Sequence, residues 1–276
     1  MKKILSIQSS VTAGFVGNAV AGPVLLALGH HPMLVNTISL AAHPGYGERA
    51  GGPPDDLLFS EHLQGLLKLH GINDITSVMS GYLGSSGQIA PIADLVTAWR
   101  GGVSGTGYYI LDPVMGDSGR LYITPQLADG IRDRLLPLAD ILTPNQFELS
   151  HLTGTDVRSR KGAVAAAETL LAQHPLTAVI ATGIGDDNHR TVGDLLVCRD
   201  GTQDWYQSSE MTQNVAGGGD LLTALVSGTL ATGRSLGESF LHASIAVQGI
   251  LGASSTPRDL ALLENMAMLR PAGMEG

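Results

Sequence analysis

The sequence predicts an α/β protein: a doubly wound, mostly parallel sheet with helices on both faces. Three observations carry this. Short apolar runs alternate with stretches of helical periodicity along most of the chain, and strands that alternate with helices imply a parallel sheet. The runs end on glycine or small polar residues, as strand ends facing a ligand crevice do. With 276 residues, 43% of them hydrophobic and 15% charged, the chain can bury one large core.

Taken in order, "KKILSIQS" predicts a first strand over 2–9, and "GFVGNAVAGPVLLALG" the helix after it. The His30-His31 pair falls in a turn, and "MLVNTIS" is the second strand. "ITSVMSGY" is a third strand, followed by a helix that sets Ile92, Leu95, Val96 and Trp99 on one face. "YYILDPV" precedes a helix near 125–136, and "ADILTPN" precedes the helical "QFELSHL". An alanine-rich helix over about 159–173 leads into the strand "TAVIATG". The chain from Leu221 reads as two or three consecutive helices ending near Leu269.

Two segments depart from the alternation. Residues 41–54, rich in Gly and Pro, predict a lid or a long connection. Apolar runs on either side of Asp200-Gly201 predict a hairpin over about 190–207 at the sheet edge. No linker divides the chain, so the expectation is a single domain over 1–276.

Composition narrows the function. A net charge of -9 with 16 basic residues argues against a nucleic-acid surface. No run of about 18 apolar residues suits a membrane span, and Ser6, Gln8, Ser9 and Ser10 break the apolar start of "MKKILSIQSS" too early for a secretion signal. The expectation is a soluble, cytoplasmic protein. The single cysteine, Cys198, excludes an intramolecular disulfide framework and a Cys-rich zinc site.

The strand ends fall at Ser9, Thr37, Ser80-Gly81, Asp112, Thr143 to Asn145 and Thr182-Gly183, and in this fold they converge. "AGGGD" opens a helix. Free N–H groups and the positive end of the helix dipole bind anions there, so Gly217, Gly218 and Gly219 form a candidate anion hole. Asp220 beside them suits a base for a group attacking a phosphate, or a plain helix cap. Neither GxxxxGK[ST] nor a GxGxxG after a strand occurs, which excludes a P-loop and leaves a dinucleotide site unsupported. In "DPVMGD", Asp112 and Asp117 suit Mg²⁺ directly or through water, or are turn residues. In "TPNQFEL", Asn145 and Glu148 share a helix face; Glu148 either orients metal-bound water or closes a capping box. Thr182-Gly183 could touch a nucleotide.

Together "IQSSVTAGFVGN", "HPGYG", "SGYLGSSGQ", "DPVMGD", "TPNQFEL" and "GGGD" resemble, in order and over about 3–252, the pyridoxal kinases of the ribokinase-like superfamily. The resemblance implies phosphorylation of the 5′-hydroxymethyl group of pyridoxal, pyridoxine or pyridoxamine, with ATP and Mg²⁺. It implies a homodimer and often a K⁺ requirement. Asp220 matches the catalytic base, and Gly217, Gly218 and Gly219 the anion hole. Ser9 matches a contact to the vitamer ring, His43, Gly45 and Tyr46 the lid over it, and Tyr82 its wall. Asp112, Thr143, Asn145, Glu148, Thr182 and Gly183 match nucleotide contacts. Asp112, Asp117, Tyr122 and Glu148 match the metal region. Gly218 stands where relatives carry a threonine, and Pro44 where many carry another. Two alternatives remain: a hydroxymethylpyrimidine kinase, against which the "IQSSVTAGFVGN" opening speaks, and a feeble kinase that mainly binds pyridoxal phosphate.

Overall fold

Among the described residues, nine strands form one mixed, mostly parallel sheet, in which the order along the sheet, by the numbering given below, is β11-β10-β9-β8-β5-β4-β1-β2-β3. A computed structural model describes residues 1–47, 49–69, 74–102, 107–188, 191–208, 215–256 and 258–273. In chain order the elements begin β1 (Lys3–Ala13), α1 (Asn18–Ala27), β2 (His31–Ala42), β3 (Gly51–Gly52), α2 (Asp56–Lys68), β4 (Ile75–Ser80), α3 (Ile89–Gly102) and β5 (Tyr108–Leu111). A two-strand ribbon follows, β6 (Gly116–Asp117) with β7 (Arg120–Leu121), then α4 (Pro125–Gly130) and β8 (Ile141–Leu142). The second half holds α5 (Gln146–Thr153), α6 (Arg160–Gln173), β9 (Ala178–Gly185), β10 (Val192–Cys198), β11 (Gln203–Gln207), α7 (Gly218–Ala231) and α8 (Leu236–Ala253).

The pairs from β2 to β9 through β1, β4, β5 and β8 are parallel. The edge partners β3, β10 and β11 run antiparallel. Central strands are apolar on both faces, as two-sided burial requires. Over one face α1, α7 and α8 bury Val20, Val24, Leu225 and Phe240 with Ile4 and Ile110. Over the other, α2, α3, α5 and α6 bury Phe59, Trp99, Leu149 and Leu170 with Leu5 and Tyr109. Strand order reverses direction between β1 and β4, so their carboxyl ends flank the crevice where open α/β sheets bind ligands.

Several sequence expectations shift. The first strand runs on to Ala13, because Ser10, Val11 and Ala13 keep pairing with β2; Ser9 lies within it. Residues 14–17 are loop, and α1 begins at Asn18. His31 opens β2 instead of lying in a turn. The helix α2 carries no sequence expectation; Asp55 starts it by accepting from the N–H of Leu57 and Leu58. The 41–54 segment leaves β2, makes one tight turn over Pro44–Tyr46 and returns to the sheet edge as β3. The hairpin is β10 and β11, turning at Asp200-Gly201; Arg190 lies outside the described residues. The last helices are α7 and α8, followed by a single turn at Met266–Leu269.

Candidate active site

The site starts from a backbone constraint at the mouth of α7. Gly217 is the residue before the helix and holds φ 96°. A Cβ there would lie 2.1 Å from the Phe15 carbonyl oxygen and 3.0 Å from Leu260 Cδ1. Only glycine meets both the left-handed conformation and the close approach. Gly218 and Gly219 differ. They are helical, and a Cβ would meet Leu251 at 3.6 Å and Asp112 Oδ2 at 3.6 Å, both ordinary contacts. The glycine run is thus demanded at Gly217 and merely open at the next two positions. A helix start carries N–H groups without intrahelical partners and the positive end of the dipole, and here it lies beside Asp112.

Asp220 sits in that turn. Its carboxyl accepts from the Gly17 N–H, and desolvation raises its pKa to about 6 against the pull of that bond. Gly17 is itself pressed on β1: a Cβ would lie 2.1 Å from the Ser9 carbonyl oxygen and 2.5 Å from Ser9 Oγ. Ser9 and Asp220 are therefore joined through one glycine.

Asp112 follows β5 and is buried. Thr223 donates to its Oδ2 at 3.3 Å, and Thr143 Oγ1 lies 2.9 Å from the same Thr223 hydroxyl. Burial, then Glu148 and Asp220, hold the Asp112 carboxyl well above the usual range. Glu148 is buried and closes a capping box with Asn145. Its Oε2 accepts from the Asn145 N–H at 2.9 Å, and its Oε1 from the N–H of Met115 at 2.9 Å and of Gly116 at 3.5 Å. Burial raises it to about 7, although these backbone bonds pull the other way. The capping reading of Glu148 holds, since it closes the box that starts α5, and its charge acts on Asp112.

The other residues fall into three places. Asn145 donates to the Gly116 carbonyl at 2.8 Å and bridges in parallel to Thr182; Thr182 and Gly183 lie within β9, which runs on to Gly185 instead of ending at them as the sequence suggested. Asp117 and Tyr122 lie on the β6–β7 ribbon beside Glu148, with Tyr122 exposed. Tyr82 follows β4, packs with Val11, Ile38 and Leu40, and its carbonyl accepts from Thr37 Oγ1 at 2.6 Å. Among the described residues no three Asp, Glu, His or Cys side chains are gathered to hold a metal ion by themselves. A cation that keeps its waters and takes phosphate oxygens needs only one or two carboxylates, and the crowded Asp112 fits that demand.

Sequence reasoning missed the clasp over the lid. His43 Nδ1 accepts from Gly45 N–H at 3.1 Å, and its Nε2 lies 2.6 Å from the Arg258 carbonyl oxygen. The Tyr46 hydroxyl donates to Asp259, and the Arg258 guanidinium stands 5.8 Å over the Tyr46 ring. Leu260, next in line, is the side chain against Gly217. Residues 258–260 thus run from the 43–46 turn to the mouth of α7. Partners more than 200 positions apart leave no local sequence signal.

A sheet-end crevice, a helix-mouth anion hole and a carboxylate beside it define a small-molecule kinase of the ribokinase-like fold. The family described as phosphomethylpyrimidine kinase matches residues 70–259. The chain is 36% identical over 254 residues to a pyridoxal kinase PdxY of Rubrobacter xylanophilus, covering 90% of this chain and 86% of that one. It superposes on the pyridoxal kinase of Entamoeba histolytica with a TM-score of 0.90 at 26% identity, over 100% and 97% of the two chains. On the Leishmania donovani pyridoxal kinase in complex with ADP and pyridoxamine the TM-score is 0.87 at 27% identity, over 99% and 97%. The chain belongs to the pyridoxal kinase family.

Two predictions follow from this geometry. Gly217→Ala should destabilise the fold and abolish nucleotide binding, whereas Gly218→Ala should stabilise it by about 0.4–1 kcal/mol by restricting the unfolded chain; denaturant melts of both variants check this. Tyr46→Phe removes only the hydroxyl on Asp259. It should speed amide exchange of 43–47 while leaving the global melting temperature nearly unchanged.

Proposed function

We infer that the chain transfers the γ-phosphoryl group of ATP to the 5′-hydroxymethyl group of pyridoxal, pyridoxine or pyridoxamine. The observation that carries this reading is the pairing at the mouth of α7: Asp220 in the first turn, beside the N–H groups of the helix start and tied through Gly17 to Ser9. The relatives named above supply the substrate class.

In this reading the vitamer ring lies between Ser9, Tyr82 and the lid residues His43, Gly45 and Tyr46, with its hydroxymethyl group toward Asp220. A primary alcohol is a poor nucleophile, so Asp220 accepts its proton as the oxygen attacks phosphorus. The N–H groups at 217–219 hold the phosphoryl oxygens and offset the charge that develops on them. Thr143, Asn145, Thr182 and Gly183 line the nucleotide side. Mg²⁺, when bound, neutralises phosphate charge; Asp112 would hold it, and Glu148 keeps the 115–116 turn in place beside it. Mg²⁺, K⁺, the homodimer and cytoplasmic residence all enter through the family resemblance. Among the described residues no helix is long and apolar enough to cross a membrane.

A pyrimidine acceptor is the second reading, favoured only by the description of the family that matches 70–259. Release of ADP should be measured with each B6 vitamer and with a hydroxymethylpyrimidine. The expected outcome is turnover of the vitamers well above the pyrimidine; the reverse order establishes the second reading. Tight vitamer binding without ADP release would make the protein a pyridoxal phosphate binder. Asp220→Asn should lower the single-turnover rate by roughly 10²–10⁴ while ATP and pyridoxal still bind. A variant that turns over near the parent rate reduces Asp220 to a helix cap.

A further inference from the structure

The acceptor side of the crevice rests on an irregularity. In the β1–β2 pairing Gln8 faces Asn36 and Ser10 faces Ser39, so Ser9 alone opposes Thr37 and Ile38. Such a bulge re-aims side chains and shifts the strand beyond it. Here it shifts the stretch Ser39–Ala42, from which the lid departs at His43. A bulge also breaks the ladder and leaves backbone carbonyls that need donors.

The side chain that meets this need is Asn18, the first residue of α1, buried and absent from the catalytic account so far. Its Nδ2 donates to the Val35 carbonyl at 3.0 Å and to Asn36 Oδ1 at 2.8 Å, and stands 3.3 Å from the Gln8 carbonyl. Its Oδ1 accepts from Ser6 Oγ at 2.7 Å, and Gln8 Nε2 donates to that Ser6 hydroxyl at 2.9 Å. The amide orientation is thus set from both ends. Within the bulge Thr37 donates to the Tyr82 carbonyl, and Gln88 Nε2 donates to the Thr37 carbonyl at 2.7 Å. Asn18 also immediately follows Gly17, whose N–H meets Asp220.

We propose that Asn18 is a positioning residue for the acceptor half of the site. Its carboxamide pins the β1–β2 bulge, which fixes Ser9 and the root of the lid, and its anchorage holds Gly17 against both Ser9 and Asp220. What the site holds rests on the pyridoxal reading; the pinning itself does not.

The test compares the full-length protein with Asn18→Ala and Trp99→Phe. The second variant loses a buried hydrogen bond, Trp99 Nε1 to the Ile75 carbonyl, at the opposite end of the sheet. Asn18→Ala should speed amide exchange over 36–43, and Trp99→Phe should not. Asn18→Ala should also raise the KM for pyridoxal by about tenfold, the equivalent of one lost buried hydrogen bond, with the KM for ATP unchanged within about twofold on the same reasoning. Asn36→Ala removes one exposed partner of Asn18 and should shift both readouts the same way but less, which keeps the test valid if Asn18→Ala does not fold. Unchanged exchange over 36–43, or equal changes in both KM values, would overturn the proposal. A wild-type protein that fails to phosphorylate pyridoxal overturns the functional reading instead, and the exchange comparison then decides on Asn18 alone.

Discussion

The structure is organised around three carboxyl groups gathered at one crevice, where burial makes their ionisation costly. Asp112, Glu148 and Asp220 reach one crevice from β5, α5 and α7, and burial raises all three, Glu148 to about 7 and Asp220 to about 6. Part of the cost is offset by backbone: Gly17 donates to Asp220, and Asn145, Met115 and Gly116 donate to Glu148. The sign of the residual cost is definite. A carboxyl whose folded pKa is raised binds its proton more tightly in the native state, so stability is lost as pH rises through the interval between the unfolded and folded values, and regained as pH falls. Ionising these buried carboxyl groups therefore costs stability as the pH approaches neutral.

Holding such a crevice open takes unusual backbone. The loop 14–17 is where the parts meet. Gly14, at φ 93°, leaves room for Asp259, His43 and Tyr46; Phe15 offers its carbonyl against Gly217; Gly17 touches Ser9 and donates to Asp220. The 43–46 turn, the mouth of α7, Asp220 and β1 therefore share one short segment. A side chain at Gly17 or Gly217 would push into a carbonyl at 2.1 Å, and no rotamer change elsewhere can absorb that.

Much of this was legible in the sequence because parallel sheets bury their strands on both faces and leave polar residues at the ends. Asp112 and Thr143, which directly follow β5 and β8, could be aligned on that ground, whereas Ser9 and Thr182 turn out to lie inside strands that run on past them. The helix α2 escaped notice because Leu57 and Leu58 are exposed beside the buried Phe59 and Leu63, which blurs the apolar face, and because the Gly- and Pro-rich stretch runs up to its cap. The first strand extended past its serines because pairing with β2, not local propensity, decides where it ends. The reason for three glycines also changed: close packing against Phe15 singles out Gly217, and that contact links residues 202 positions apart. The clasp of Arg258 and Asp259 on the lid is likewise a tertiary fact with no periodic trace.

The measurement that bears most directly on the central claim is a ¹³C titration of the carboxyl groups, without nucleotide or divalent cation. Asp220 should titrate at about 6 and Asp112 well above the usual carboxylate range, and Asp220→Asn should bring the Asp112 value down by removing a neighbouring charge. Titration of both groups near about 4, as for exposed aspartates, would contradict the account.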